Sequence, residues 1–177
     1  MSLRFAILTA LTEKSSSGIE LARRFDRSIG YFWPASHQQI YRELDKLHAD
    51  GLVSPVGDAP STTRGNPKVM QVTDAGTEAL REWANATEPT RKPRDPLMVR
   101  VRAAAVLDDV DLRDSLRQQL TDHESRLAEY VEIEQSFSGE LDRRARLQLQ
   151  ILRSGIASER MWVQWCRETL GVLDDAD

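Results

Sequence analysis

Apolar residues recur along this chain mostly at helical spacing and, in one short stretch, at strand spacing. Leu3, Ala6, Ile7, Ala10 and Leu11 follow an i, i+3, i+4 rhythm, which predicts a first helix over residues 2–12. Glu13 to Gly18, with three consecutive serines, reads as a turn. Ile19, Leu21, Ala22 and Phe25 predict a second, short helix ending near Ile29-Gly30. The aromatic run Tyr31-Phe32-Trp33 is expected to pack in the core and to fix the angle to the next helix. That third helix spans Pro34 to Gly51, with Ser36 as N-cap and Gly51 as the stop. Ile40, Leu44 and Leu47 mark its buried face, while its first turns carry His37, Gln38, Gln39, Tyr41 and Arg42. After Gly51 the texture turns β-like. Leu52 to Val56 and Val69 to Thr73 predict two short strands around a Gly-, Pro-, Ser- and Thr-rich loop, a hairpin with Arg64-Gly65-Asn66-Pro67-Lys68 near its tip. Thr73 then caps a helix to which Leu80 and Trp83 lend apolar contacts.

The second half is helical throughout. Residues 88–96 hold three prolines and three cations and read as a linker, which places one domain at 1–87 and another at 97–177. Asp95-Pro96 starts a helix that runs to about Leu107. A longer one follows the acids at 108–111 and continues to Phe137, with Leu116, Leu120, Leu127 and Tyr130 along one seam. The last helix, about Glu140 to Leu170, carries two apolar stripes. One is Ala145, Leu149, Leu152, Ile156, Val163, Cys166 and Leu170; the other is Leu147, Ile151, Trp162 and Trp165. Two stripes need two partners. An antiparallel neighbour covers one, and a second copy of the chain is the simplest cover for the other; a monomeric bundle that buries both stripes internally is the alternative. The residues expected at that dimer interface are Leu116, Leu120, Leu127, Leu149, Leu152, Ile156, Val163 and Leu170. Gly155, in mid-helix, marks a close helix approach. The expected fold class is mainly α: a winged helix-turn-helix followed by a helical dimerisation domain.

Composition narrows the function. The chain has 177 residues and a net charge of −4, yet residues 1–94 balance at +2 and residues 95–177 at −6. A nucleic-acid binder needs a basic surface locally, so the first half is where one is sought. There is a single cysteine, Cys166, and no apolar run long enough to span a membrane, so the expectation is a cytoplasmic protein without disulfides. His37, His48, His123 and Cys166 are scattered at spacings unsuited to a metal, and no phosphate-binding glycine loop or nucleophile–base set can be assembled. No cofactor and no enzymatic activity are expected. A short helix that buries one face and offers a polar amino-terminal half suits the DNA major groove; an ordinary amphipathic helix facing solvent is the alternative for that stretch alone.

Several segments resemble a known family. Leu3-Arg4-Phe5-Ala6-Ile7-Leu8, Gly18-Ile19-Glu20-Leu21, Trp33-Pro34-Ala35-Ser36-His37-Gln38-Gln39-Ile40-Tyr41, Leu44-Asp45-Lys46-Leu47, Asp50-Gly51-Leu52-Val53 and Val72-Thr73-Asp74-Ala75-Gly76 are similar to PadR-type transcriptional regulators, nearly continuously over residues 3–87. The carboxy-terminal half resembles, through weaker motifs, the larger subfamily that includes virulence-activator-like regulators. The resemblance implies a homodimer, most simply a repressor, whose third helices enter the major groove of a roughly palindromic double-stranded operator and whose wings touch flanking backbone. It places Ser36, Gln38, Gln39, Tyr41 and Arg42 on recognition-helix positions, and with His37 these form the expected helix contacts. Arg64, Gly65, Asn66 and Lys68 occupy the place of the family's basic wing tip. Where the family commonly has Tyr two residues after the wing lysine, this chain has Met70, which removes one backbone hydrogen bond. Some relatives bind small ligands between their domains, and Trp162 and Trp165 are the side chains here that could line an effector pocket, with core packing as their other use. The rival reading is a winged-helix protein-interaction module without DNA binding.

Overall fold

The structure is a computed structural model that describes residues 2–27, 29–57, 68–89, 94–107 and 109–175. It forms two compact units, Met1–Thr90 and Arg91–Asp177.

The first unit begins with α1 (Ser2–Glu13) and returns through α2 (Gly18–Asp26), a single 3-10 turn (Ile29–Tyr31) and α3 (His37–Ala49). The strands β2 (Val53–Pro55) and β3 (Val69–Val72) follow, and then α4 (Asp74–Asn85). A third strand was hidden in the serine run: Ser16–Ser17, here β1, pairs antiparallel with β3, Ser16 opposite Met70 and Ser17 opposite Val69. On its other side β3 pairs with β2, with Val53 opposite Val72 and Pro55 opposite Met70, so the order is β1-β3-β2. Two serines carry no apolar alternation, and only their partner strand makes them a strand. Their burial is tolerated because the polar atoms are occupied: Ser16 Oγ donates to Lys14 O and accepts from Arg24 Nη1 at 2.7 Å. Arg24 also donates to Ala10 O and Lys14 O, carbonyls at the end of α1. Met70 lies in the core at 5% exposure.

Ile7, Leu8, Leu21, Phe25, Ile40, Leu47 and Val53 form the centre of this unit's core, all essentially without solvent contact. Each stabilises the fold by about 1.5–3 kcal/mol. Trp83 stacks flat on Phe5 with ring centroids 4.6 Å apart. The aromatic run departs from expectation. Ile29 is buried, but Tyr31, Phe32 and Trp33 are exposed, Phe32 at 56%. The 3-10 turn ends the α2 rhythm, and its backbone bonds from Phe32 and Trp33 to Ile29 O turn the chain so that the isoleucine enters the core.

The second unit contains α5 (Pro96–Ala104), α6 (Arg113–Gln135) and α7 (Arg143–Asp174). Asp95 caps α5 and Asp142 caps α7, each carboxylate accepting a backbone N–H at 2.8 and 2.7 Å. α6 and α7 run antiparallel, pinned by Arg113–Asp174 at one end and Glu134–Arg153 at the other. Leu97 of α5 joins Leu112, Leu116 and Cys166 in a core that Trp162 and Trp165 also pack against. At Gly155 the two long helices pack with Tyr130 between them: a Cβ there would meet the Tyr130 ring at 3.0 Å. Of the expected linker, residues 90–93 lie outside the described residues.

Candidate nucleic-acid interface

The site is built on α3, and the sequence fixes both of its ends. Ser36 Oγ accepts the Gln39 N–H, and Gln39 Oε1 accepts the Ser36 N–H at 2.8 Å, a complete capping box. At the other end Gly51 takes φ +73, and Leu52 N–H reaches back to Leu47 O while Gly51 N–H reaches His48 O. These two bonds are the Schellman closure that only a residue tolerating positive φ permits cheaply. Thr73, the N-cap of α4, donates its hydroxyl proton to Gly51 O, so the end of α3 is fastened to the start of the next helix.

Between those ends Ile40, Leu44 and Leu47 are buried, which turns His37, Gln38, Tyr41, Arg42 and Asp45 outward. Among the described residues nothing bonds to the side chains of Gln38 or Arg42, so both are available to a ligand. Gln39 is engaged in the cap through its carbonyl oxygen, which narrows its expected role to what its amide nitrogen can do. Ser36 is likewise a cap first. His37 Nε2 sits 2.8 Å from Asp26 Oδ2 at the end of α2, and Tyr41 meets the His37 ring edge-on at 6.5 Å. Asp26 had no signal in the sequence, because an acid eleven positions before His37 has no periodic relation to it.

The wing lies beside this helix. Lys68, exposed at the start of β3, shares a groove of about 360 Å³ with Tyr41, Asp45 and His48 of α3. Arg64, Gly65 and Asn66 fall outside the described residues. The groove itself is lined by Ile19, Leu44 and Met70 as well as by these polar groups, while Gln38 and Arg42 on α3, with Tyr41 and Lys68, are side-chain types that meet phosphates and base edges.

In the helical unit the expected interface residues have another use. Leu116, Leu149, Ile156 and Val163 are buried within their own chain, and Leu120 and Leu170 pack on the Leu116–Cys166 core. Leu127 and Leu152 are half-buried. That stripe is spent on the α6–α7 contact. The face left uncovered on α7 is Leu147, Ile151 and Met161, each about half exposed. Trp162 and Trp165 meet edge-to-face at 5.5 Å, and Trp162 stacks on His123. His123 Nδ1 lies 2.5 Å from Glu159 Oε2, and Arg126 holds the other carboxylate oxygen at 3.3 Å. A nearly buried carboxylate is thus satisfied on both sides. Among the described residues no cluster of His, Cys, Asp and Glu could hold a metal, and no helix is long and apolar enough to cross a membrane.

Comparison with known proteins agrees with this architecture in both units. Residues 7–82 match the family model described as transcriptional regulator PadR-like family, and residues 93–174 match virulence activator alpha C-term. The chain is 35% identical to "Probable transcriptional regulator Rv1176c" of Mycobacterium tuberculosis, with 99% of each chain covered. Among solved structures it resembles the Vibrio cholerae virulence activator AphA, at 33% identity, a TM-score of 0.84 and coverage of 99% and 100%. It shares its fold with Bacillus subtilis PadR, solved with operator DNA (24% identity, TM-score 0.80, coverage 97% and 99%) and, separately, with p-coumaric acid. A capped α3 beside a β-hairpin, 35% identity to a regulator over the full length and both halves of the family's sequence signature lead to one assignment: this chain belongs to the PadR-like family of transcriptional regulators.

Proposed function

We propose that the chain represses transcription as a homodimer, with the unit at 1–87 reading DNA and the unit at 97–177 setting the distance between two copies. The observation that carries the reading is α3 itself. Its back is buried, its ends are locked, Gln38, Tyr41 and Arg42 face outward, and Tyr41 shares a groove with Lys68. Gln38 suits an adenine edge, and Arg42 a guanine edge or a phosphate. A two-fold dimer implies a roughly palindromic operator with half-sites about one turn (10–10.5 bp) apart. The half-exposed apolar positions Leu147, Ile151 and Met161 on α7 support a second copy as the cover for that face. A small-molecule effector is the further element of this reading, supported by the p-coumaric acid complex of the Bacillus subtilis relative. Trp162 and Trp165 are the side chains assigned to its pocket, and both also pack on the helical core.

Gel shifts of the full chain on its own upstream DNA test the reading. The expected result is a sequence-preferring complex whose affinity falls with salt at a log–log slope of about −0.9 per phosphate contact. A complex that forms equally on any duplex, or none at all, overturns it.

A further inference from the structure

Asp26 is an acid in an unusual place. It is the last residue of α2, where the negative end of the helix dipole disfavours a carboxylate. Its partner is His37, the first residue of α3, at 2.8 Å, and both side chains are 51% exposed. A contact this exposed adds little to stability, whether or not the imidazole is charged. It also sets a negative charge on the surface that the proposed function assigns to DNA. Neither helix stability nor general DNA affinity accounts for it.

The geometry accounts for it in another way. A carboxylate only accepts hydrogen bonds, so the proton of the His37 ring is held on Nε2. Tyr41, one turn further along α3, packs against the ring edge-on and limits its rotation. The ring atom left over is Nδ1, which in the neutral imidazole is an acceptor. We propose that Asp26 is a positioning residue that fixes the His37 tautomer, so that Nδ1 reads an exocyclic amino group in the major groove, adenine N6 or cytosine N4. Guanine and thymine present acceptors at the corresponding major-groove positions and leave Nδ1 unpaired. This inference rests on the DNA-reading role of α3. Asp26 then exchanges affinity for discrimination: its charge repels phosphate at every sequence, while its hydrogen bond sharpens the choice at one base pair in each half-site.

The test starts from duplexes selected out of random DNA by the full wild-type chain. Affinities are then measured by fluorescence anisotropy for the selected duplex, for its single-base-pair variants and for an unrelated duplex. The base pair read by His37 is the one whose discrimination is lost in His37→Ala; removing its exocyclic amino group on one strand alone (purine for adenine, 2-pyrimidinone for cytosine) weakens wild-type binding as much as the wrong base pair does and leaves His37→Ala unaffected. Asp26→Asn and Asp26→Ala bind the unrelated duplex severalfold more tightly than wild type. Their discrimination at that base pair falls roughly 5- to 10-fold, as expected for one lost base contact. In a His37→Ala background, Asp26→Asn still raises unrelated-duplex affinity but no longer changes discrimination. A general loss of binding in both Asp26 variants, an unchanged discrimination in Asp26 variants of a wild type that does select sequence, or full wild-type affinity for the duplex lacking that amino group overturns the proposal. If the wild type selects no sequence, the DNA-reading role of α3 fails as well, and the two failures are told apart by that first selection.

Discussion

Among the described glycines of the first unit, Gly76 is the one a side chain would crowd most. It lies in the first turn of α4, and a Cβ there would stand 2.0 Å from Leu52 O. Gly76→Ala must push α4 off the start of β2, and we expect it to cost 1–3 kcal/mol or more, measured by urea unfolding. On the face proposed to meet DNA, the side chains divide by what they already hold. Gln38 holds nothing within the described residues and packs against no core, so Gln38→Ala should leave stability within about 0.5 kcal/mol of wild type and relax base preference. Lys68→Ala should weaken binding to every sequence alike and reduce the salt slope by about one. If both variants weaken all duplexes uniformly, Gln38 is a backbone contact and not a reader. Ser36 and Gln39 belong to a third group, whose replacement acts through the helix cap before it acts on DNA.

At the scale of elements, the α6–α7 pair is held by a polar centre as well as an apolar one. Tyr130 is buried against Gly155. Burial pushes its phenol above the ordinary value of 10.0, and the nearby Glu159 charge adds to the rise. A raised folded-state pKa means that the unfolded chain ionises first. The stabilising contribution of Tyr130 is therefore complete below pH 10 and is lost as pH rises through the folded value. Stability measured by helical circular dichroism in urea should fall across that alkaline range, and Tyr130→Phe should remove that part of the fall. The same profile in both proteins would mean that Tyr130 ionises as freely folded as unfolded. Glu20 shows the opposite sign in the first unit: hydrogen bonds from the Ser17 backbone and hydroxyl hold its carboxyl below the usual range. The α2 capping box thus contributes above the ordinary carboxylate pKa and weakens as pH drops through the folded one.

At the scale of the molecule, α7 is longer than its partner. Its 32 residues span about 48 Å, against about 35 Å for the 23 of α6. Arg153 pairs with Glu134, next to the end of α6, so the first turns of α7 reach past that helix; Leu147 lies in them and Ile151 beside the end of α6, both about half exposed. Ile151→Glu adds a charge there without entering the core. We expect it to shift sedimentation from dimer toward monomer and to weaken operator binding at low protein concentration, with helical content unchanged. A dimer that persists through both Ile151→Glu and Leu147→Glu would place the interface elsewhere.

The sequence alone determined what local chemistry determines. Caps and glycines set the ends of α3, proline and aspartate set the start of α5, and the 3.6-residue rhythm set which face of each helix is buried. It also carried the winged-helix class, because three short helices and a hairpin in that order have few ways to pack. What depends on partners distant in the chain came only from tertiary structure. Ser16–Ser17 is a strand because Val69 and Met70 pair with it. The Leu149–Val163 stripe faces α6 of the same chain, since an apolar stripe reads the same whether its cover is internal or a second molecule. The exposed aromatics at 31–33 defied their composition because the backbone, not side-chain hydrophobicity, chose which residue of that turn enters the core. Asp26 became part of the candidate site for the same reason: the turn between α2 and α3 brings its carboxylate to His37, and no spacing along the chain records that meeting.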